Sequence, residues 1–382
     1  MWIPYYESGE LKIHSFDSDT VVGEVPFTTV PSQWARDQYV KTHQAGINNA
    51  GDLFIYDSDT ITLFNVATVA NNRCSVSETG EVIAAGKHPE GGNKWCFWII
   101  EAPYQDSITP YEYDHDNNYP LIHVASNNEW FFLFFKSGAT VNGVAILKST
   151  LNGTPTIYKQ TFSGYSRFAI LAPRWTANYC YLHSNDGYDP SRTWMWNVPA
   201  NSVCTYYNHH LGAYGALLRC QSFHNGTKAV DYIFQPRTTY DERFLMQEHD
   251  CAVNIQTVGS RWHTKVSTDF YNEGIVLING SSVSWVARKW TVNAGLTLIG
   301  TRAFPWLGYG SYNRWWYTTS CDTVGARVAQ VFSYSEAYPP GYIYDNIYIT
   351  DDMDSEDPTH RVTLGPYPNR YISWSSQKIG FS

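Results

Sequence analysis

At 382 residues, with 26 Lys and Arg against 35 Asp and Glu for a net charge of −9, the chain is mildly acidic and long enough to bury a large core. It has no basic tract, which excludes a duplex nucleic acid as the expected partner, because phosphate contacts need clustered Lys and Arg. Charged and aromatic residues each make up 16% of the chain (Trp 15, Tyr 29, Phe 18), so much of the surface is uncharged polar and aromatic, a composition suited to docking protein or sugar and also to filling wedges between sheets.

The N-terminal stretch Met1-Trp2-Ile3-Pro4-Tyr5-Tyr6-Glu7 has no basic region followed by a long apolar run, and nowhere do 18 apolar residues follow one another. Neither export by that route nor a membrane span is expected. The most ordered pattern in the sequence begins just after it. Phe16-Asp17-Ser18-Asp19-Thr20-Val21 returns as Tyr56-Asp57-Ser58-Asp59-Thr60-Ile61, 40 positions on. Each copy follows a lead-in of strand character, Gly9-Glu10-Leu11-Lys12-Ile13 and Gly51-Asp52-Leu53-Phe54-Ile55. The unit is strand, acidic turn, strand; Asp and Ser suit the turn because their short side chains accept hydrogen bonds from the backbone two residues on. A period of about 40 residues is that of a β-propeller blade.

Between the copies, Pro31-Ser32-Gln33-Trp34-Ala35-Arg36-Asp37-Gln38-Tyr39-Val40 is the best helix candidate, with Pro in the first turn, where a missing N–H costs nothing. Gly80-Glu81-Val82-Ile83 makes a third Gly-acid-aliphatic start, followed by the apolar run Trp95-Cys96-Phe97-Trp98-Ile99-Ile100. Trp130-Phe131-Phe132-Leu133-Phe134-Phe135 reads as a strand buried on both faces, as innermost propeller strands are. Gly143 to Lys148 leads through the turn Asn152-Gly153 to Thr156-Ile157-Tyr158. Ile275-Val276-Leu277-Ile278, Asn279-Gly280, Val283-Ser284-Trp285-Val286 predicts a short hairpin. Tyr342-Ile343-Tyr344 and Ile347-Tyr348-Ile349 read as two late strands before the acidic turn Asp351-Asp352-Met353-Asp354. Strands at this spacing give an all-β fold, a propeller of six or seven blades, as one domain over residues 1–382 with residues 362–381 closing the ring.

Chemistry-bearing clusters are few. The seven cysteines (Cys74, Cys96, Cys180, Cys204, Cys220, Cys251, Cys321) are scattered and never in CxxC spacing, so most are expected to be free buried thiols. Glu248-His249-Asp250 sets an acid beside an imidazole, but strand neighbours face opposite ways and cannot act on one atom. No catalytic residue and no cofactor is assigned. Asp114-His115-Asp116-Asn117-Asn118 and Asp351 to Asp357 offer alternating oxygen ligands, as calcium loops do, without the Gly and Glu positions of an EF-hand; a solvated acidic loop is the other reading, and the metal is left unknown. His209-His210 near Cys204 lacks paired ligand spacing. Asn152-Gly153-Thr154, Asn225-Gly226-Thr227 and Asn279-Gly280-Ser281 are sequons only in a secretory pathway and otherwise hairpin turns. Trp315, Trp316 and Tyr317, with Tyr206 and Tyr207, are the candidate contacts for protein or glycan.

Ser184-Asn185-Asp186-Gly187 followed by Thr193-Trp194 resembles the Asp-box of sialidase-like propellers, S-x-D-G-G-x-T-W, with Tyr188 in place of the second Gly and three extra residues before Thr-Trp. Ser149-Thr150-Leu151-Asn152-Gly153 is a fainter echo, with Leu151 for the Asp. The resemblance implies a propeller blade rather than catalysis, since in that family the box is structural. In overall character the chain resembles the β-propeller structural proteins of tailed-bacteriophage virions, at the tail or head-tail junction. The run Gly341 to Asp351 also looks like the closing strands of a lectin-like jelly roll, which keeps a β-sandwich in the C-terminal part as the alternative. These resemblances imply a non-enzymatic virion component assembled in the host cytoplasm, with other virion proteins or copies of itself as partners. The rival is a glycan-binding or glycan-cleaving propeller.

Overall fold

In the computed structural model the chain is almost wholly β. The structure describes residues 1–36, 40–66, 68, 70–104, 110–164, 167–171, 175–185 and 191–208, and then the strand segments 219–223, 228–235, 241–248, 253–260, 265–271, 274–280, 285–292, 296–304, 314–321, 328–335, 343–350 and 360–367.

Among the described residues, eight antiparallel sheets are formed from consecutive strands. The first has three: β1 (Trp2–Glu7), β2 (Glu10–Ser15) and β3 (Thr20–Pro26). The other seven have four. They are β4 (Gln33–Arg36), β5 (Gln44–Ile47), β6 (Asp52–Tyr56) and β7 (Ile61–Asn65); then β8 (Arg73–Val76), β9 (Val82–Lys87), β10 (Lys94–Ile100) and β11 (Tyr111–Asp114); then β12 (Leu121–Ser126), β13 (Trp130–Ser137), β14 (Thr140–Leu147) and β15 (Ile157–Ser163). Next come β16 (Arg167–Leu171), β17 (Tyr179–Asn185), β18 (Ser191–Asn197) and β19 (Ser202–Asn208), followed by β20 (Arg219–Phe223), β21 (Lys228–Gln235), β22 (Asp241–Glu248) and β23 (Val253–Ser260). The last two are β24 (Lys265–Tyr271), β25 (Gly274–Gly280), β26 (Trp285–Val292) and β27 (Leu296–Phe304), and β28 (Arg314–Cys321), β29 (Val328–Ser335), β30 (Ile343–Thr350) and β31 (His360–Tyr367). Every sheet is a meander, its strands paired in chain order.

The first strand of one sheet lies beside the first strand of the next at β8 and β12, β16 and β20, and β24 and β28. Four-stranded meanders joined in this way are the blades of a β-propeller. Among the described residues, seven four-stranded sheets meet the upper end of the range the spacing predicts, and the three-stranded sheet precedes them in the chain. By compactness the chain divides into two units, one of Met1–Gln44, Tyr56–Ile61 and Trp262–Ser382, the other of Ala45–Ile55 and Thr62–Arg261.

The repeated acidic turns fall where the repeat places them. Residues 16–19 join the last two strands of the first sheet, and residues 57–60 the last two of the second. Within the turns the hydrogen bonding differs. In the second copy Asp57 Oδ1 accepts from the backbone N–H of Asp59 and Thr60 at 3.1 and 2.9 Å. In the first, Asp17 Oδ2 accepts from the Met1 amino group instead, Asp19 lies 3.3 Å from His14 Nε2, and the hydroxyls of Ser18 and Thr20 pair at 2.8 Å.

Trp130 to Phe135 is buried throughout, and the reason is visible in its neighbours. Phe131, Leu133 and Phe135 pack with Trp95 and Phe97 of β10, while Phe132 and Phe134 pack with Cys180, Trp194 and Trp196 of β17 and β18. Alternate side chains of one strand thus fill the cores on both sides of its sheet. Phe97 and Phe131 stack with centroids 4.2 Å apart. This strand, expected to be innermost, is the second of its sheet and is paired on both sides, by β12 and β14.

Three expectations are corrected. Residues 33–36 of the helix candidate form strand β4, because a one-turn helix must meet its nucleation cost alone whereas an extended segment gains a partner strand in β5. Asn279 and Gly280 are paired with Val286 and Trp285, so the reversal of that hairpin falls after them, at residues outside the described set. Ile343 to Thr350 is one strand rather than two, and β28 to β31 repeat the meander of the earlier sheets, so the sandwich alternative for this region gives way to the propeller. Of the ring-closing segment, residues 362–367 belong to β31, paired with β30; residues 368–381 lie outside the described set.

Candidate functional site: buried charge clusters and exposed sheet edges

Two buried ionic clusters stand out, one in each unit. In the first, the Asp269 carboxylate on β24 accepts from Arg36 Nη2 (3.1 Å to each oxygen), from Lys41 Nζ (3.1 Å) and from the Cys321 backbone N–H (2.8 Å). Lys41 is wholly buried, and its Nζ also lies 3.4 Å from Cys321 Sγ. Burial pushes the Cys321 thiol up to about 12, so it is protonated at neutral pH and is not a ready thiolate nucleophile. The carboxylate is fully engaged, and the cluster ties the ends of β4 and β28 to β24. In the second unit, Glu81 accepts from Lys148 Nζ at 2.6 and 2.7 Å and from Ser126 Oγ at 2.5 Å, and Lys148 lies over the Trp175 ring, 4.9 Å from its centroid. Both arrangements are braces: neither leaves a carboxylate free for proton transfer.

The calcium-loop candidate at residues 114–118 is occupied by its own chain. Asp116 pairs with Lys159, Asn118 Oδ1 accepts from Lys87 Nζ, and the buried His115 ring contacts the backbone of Asn117. Among the described residues no group of three His, Cys, Asp or Glu is placed to hold a metal. Residues 351–357, 209–210 and 249–251 lie outside the described set. Cys74, Cys96, Cys180 and Cys321 are free and buried, as expected, whereas Cys204 is disulfide-bonded, which the spacing did not indicate.

Tyr206 and Tyr207 sit on β19, the last strand of its sheet, opposite Thr193 and Arg192 of β18. Trp315, Trp316 and Tyr317 sit on β28, where the register with β29 shifts between Arg314 and Tyr317, so the two tryptophans occupy an irregular stretch of an edge strand. The two sets belong to different units and share no strand or sheet. Of the Asp-box residues, Ser184 and Trp194 are buried on the paired strands β17 and β18. A Cβ on Gly164 would meet both, at 2.2 Å from Ser184 Oγ and 2.5 Å from the Trp194 ring, so they flank the chain leaving β15. Residues 186–190 lie outside the described set.

A recurrent feature of the last strands escaped the sequence reading. In β3 the register passes from Ile13 opposite Gly23 to His14 opposite Val21, leaving Val22 as an extra residue, a β-bulge. In β27 it passes from Lys289 opposite Gly300 to Trp290 opposite Leu298, leaving Ile299 extra. The sequences match, Thr20-Val21-Val22-Gly23 and Thr297-Leu298-Ile299-Gly300. In β23 the bulge falls at Val258 within Thr257-Val258-Gly259. The aliphatic pairs are exposed: Val21 44%, Val22 53%, Leu298 43% and Ile299 54%. A Cβ on Gly23 would lie 3.0 Å from the Ile61 Cδ1 methyl, so a larger residue there would have to push that side chain aside.

No protein-family model matches the sequence, and no curated protein does. Among solved structures, the chain is similar to the Dos1 propeller (TM-score 0.54, 10% identity, covering 84% of this chain and 83% of that one). It is also similar to dihydro-heme d1 dehydrogenase NirN in complex with DHE (TM-score 0.52, 10% identity, 96% and 73%) and to the β-propeller domain of Myceliophteria thermophila Cps50 (Swd1) (TM-score 0.47, 10% identity, 84% and 96%). Together with the four-stranded meanders, the likeness to the Dos1 propeller establishes the class, a β-propeller, and at such identity nothing about activity. Among the described residues no helix is long and apolar enough to cross a membrane.

Proposed function

We propose that this propeller is a non-enzymatic structural component that works through protein interfaces, as part of a virus particle at the tail or head-tail junction. The observation that carries the interface reading is the pair of bulged edge strands in the first unit, each displaying two adjacent aliphatic side chains to solvent. A bulge discourages edge-to-edge strand addition while re-aiming side chains outward. Contact through those side chains, rather than through sheet extension, is what such a surface offers. Trp315, Trp316, Tyr206 and Tyr207, on edge strands, add large amphipathic side chains of the kind that dominate interface energies. The particle assignment rests on the resemblance in composition and strand pattern.

The experiment is to measure the mass of the purified chain in solution and its copurification with other particle proteins, for the wild type and for Val22→Lys and Ile299→Lys. The expected outcome is a defined oligomer or copurification, lost in the variants while their stability stays within about 0.5 kcal/mol, as for other surface substitutions. Trp315→Ala or Trp316→Ala weakens the same association by ~2 kcal/mol or more. A monomer that binds glycans saturably on an array, unaffected by these changes, overturns the proposal in favour of a glycan-binding propeller.

A further inference from the structure

Two hairpins of the first unit carry one device with opposite charge. In β2–β3 and in β26–β27 the second strand is the last of its sheet, and a bulge within Thr-aliphatic-aliphatic-Gly sets Val21-Val22 and Leu298-Ile299 at equivalent positions. All four side chains are exposed, and β3 has no buried residue along its length, so the two hairpins do not cover each other within one chain. Their charges divide by sign. Residues 10–26 hold one cation, Lys12, against four carboxylates, Glu10, Asp17, Asp19 and Glu24, a formal side-chain charge of −3. Residues 285–304 hold three cations, Arg288, Lys289 and Arg302, and no carboxylate, a formal charge of +3 in a chain whose net charge is −9.

The described side chains set these charges beside the aliphatic pairs. Lys12 Nζ lies 3.2, 3.3 and 3.6 Å from Glu7, Glu10 and Glu24, so three carboxylates share one ammonium and that face stays negative. Asp17 is met by the Met1 amino group; Asp19, in the turn that leads into Val21, and Glu24, just beyond Val22 and Gly23, are exposed. In the basic hairpin Lys289 stands opposite Gly300 at the bulge, half-buried, with Nζ 4.9 Å from the centroid of the Tyr271 ring. Arg288 and Arg302 follow by register, opposite Thr301 and Ala287. Two acidic hairpins repel each other, as do two basic ones, whereas opposite potentials around matching apolar pairs favour the mixed contact. A chain that bears both halves, on different sheets, finds the complement of each on a second copy. Such a contact joins unlike patches, so it repeats from copy to copy until a ring closes or a filament grows.

We propose that the acidic β2–β3 hairpin of one copy docks on the basic β26–β27 hairpin of a second copy, with Val21-Val22 against Leu298-Ile299. This pairing presupposes the interface role proposed above and names its occupant. The test is sedimentation of the full chain as wild type, as Val22→Lys and as Ile299→Lys, each alone and the two variants mixed. The wild type is expected to form a ring or an open-ended series of oligomers. Each variant alone has lost one half of the contact and should associate at least about tenfold more weakly. Mixed, they should form a dimer of one copy of each, because Val22→Lys keeps the basic half and Ile299→Lys the acidic half, and this dimer cannot grow. Raising salt from about 0.05 M to about 0.5 M should weaken the wild-type association about tenfold, since screening shortens the reach of the charges; this measurement needs no variant. A monomeric wild type, either variant alone associating as tightly as the wild type, a mixture that stays monomeric, or association indifferent to salt overturns the proposal. If it falls while Val22→Lys still abolishes copurification with other particle proteins, the interface reading survives with a different partner; if neither variant alters either measurement, both fall.

Discussion

A carboxylate among buried cations is worth more to the fold than one on the surface, and the chain contains both kinds. Asp269→Asn removes the countercharge of two buried cations, Arg36 and Lys41, and leaves them without it in a water-poor site. Breaking such a cluster at one member costs roughly 3–5 kcal/mol, read as a fall in the urea midpoint. Asp116→Asn removes an exposed pair with Lys159, which solvent already screens, and is expected to leave the midpoint unchanged. Protonation gives a second residue-level expectation. Burial first, and the Arg73 guanidinium second, push His123 down to about 4; burial also lowers His14 and His115. The folded state thus refuses protons that the unfolded chain takes up near pH ~6.5. The stability contributed by the neutral rings is complete above that pH and is lost as pH falls toward about 4. Thermal melts between about pH 7 and pH 4.5 should show a decline that His123→Gln makes shallower; an unchanged slope would exclude His123 as a source.

At the scale of the element, glycines at strand starts set the turns, and their surroundings grade their importance. Gly9, Gly51 and Gly80 all have φ between 84° and 92°, a region that L side chains enter at a cost of about 1–2 kcal/mol. Around Gly9 there is open space, so Gly9→Ala should cost roughly that strain alone. At Gly51 a Cβ would lie 2.2 Å from the Val66 carbonyl oxygen, which is held by the Thr68 N–H at 2.7 Å. Gly51→Ala must also displace backbone, and denaturant melts should place it well below Gly9→Ala. These glycines were legible in the sequence because the demand is local: a Gly followed by an acid and an aliphatic, after a polar residue that closes the turn, as Asn48 does by accepting from the N–H of Ala50 and Asp52. The acidic turns and the buried runs were legible for the same reason. The Thr-aliphatic-aliphatic-Gly bulges were not, since two adjacent aliphatics break the period-2 pattern and read as noise until register shows the extra residue. Nor was the partner of Asp269, since Arg36 lies 233 positions away and nothing local couples them. The 40-residue period also fades with distance: first strands after the opening sheet begin at residues 33, 73, 121, 167, 219, 265 and 314, and strands of four or five residues in β4–β7 give way to strands of seven to nine in β24–β27, so the repeat no longer aligns.

For the whole molecule, the placement of cores between consecutive sheets predicts how damage spreads. A repeat whose units touch only their neighbours has a stability close to a sum of unit and interface terms, so a defect should be felt on the side where its side chain packs. Strand β13 allows this to be tested with adjacent residues. Phe131 belongs to the core shared with β9 and β10, and Phe132 to the core shared with β17 and β18; both are fully buried. Either one changed to Ala removes similar apolar volume and should cost roughly 3–5 kcal/mol, so global melts are expected to rank them alike. Hydrogen exchange separates them, because local opening reports the free energy of each region rather than of the whole. Phe131→Ala should speed exchange in β9 and β10 and leave β17 and β18 near their wild-type rates, and Phe132→Ala should do the reverse. Equal loss of protection on both sides would mean that the sheets do not act as separable neighbours. The one-sided pattern would establish that each blade face carries its own interface energy, with alternation along a single strand deciding which neighbour a residue supports.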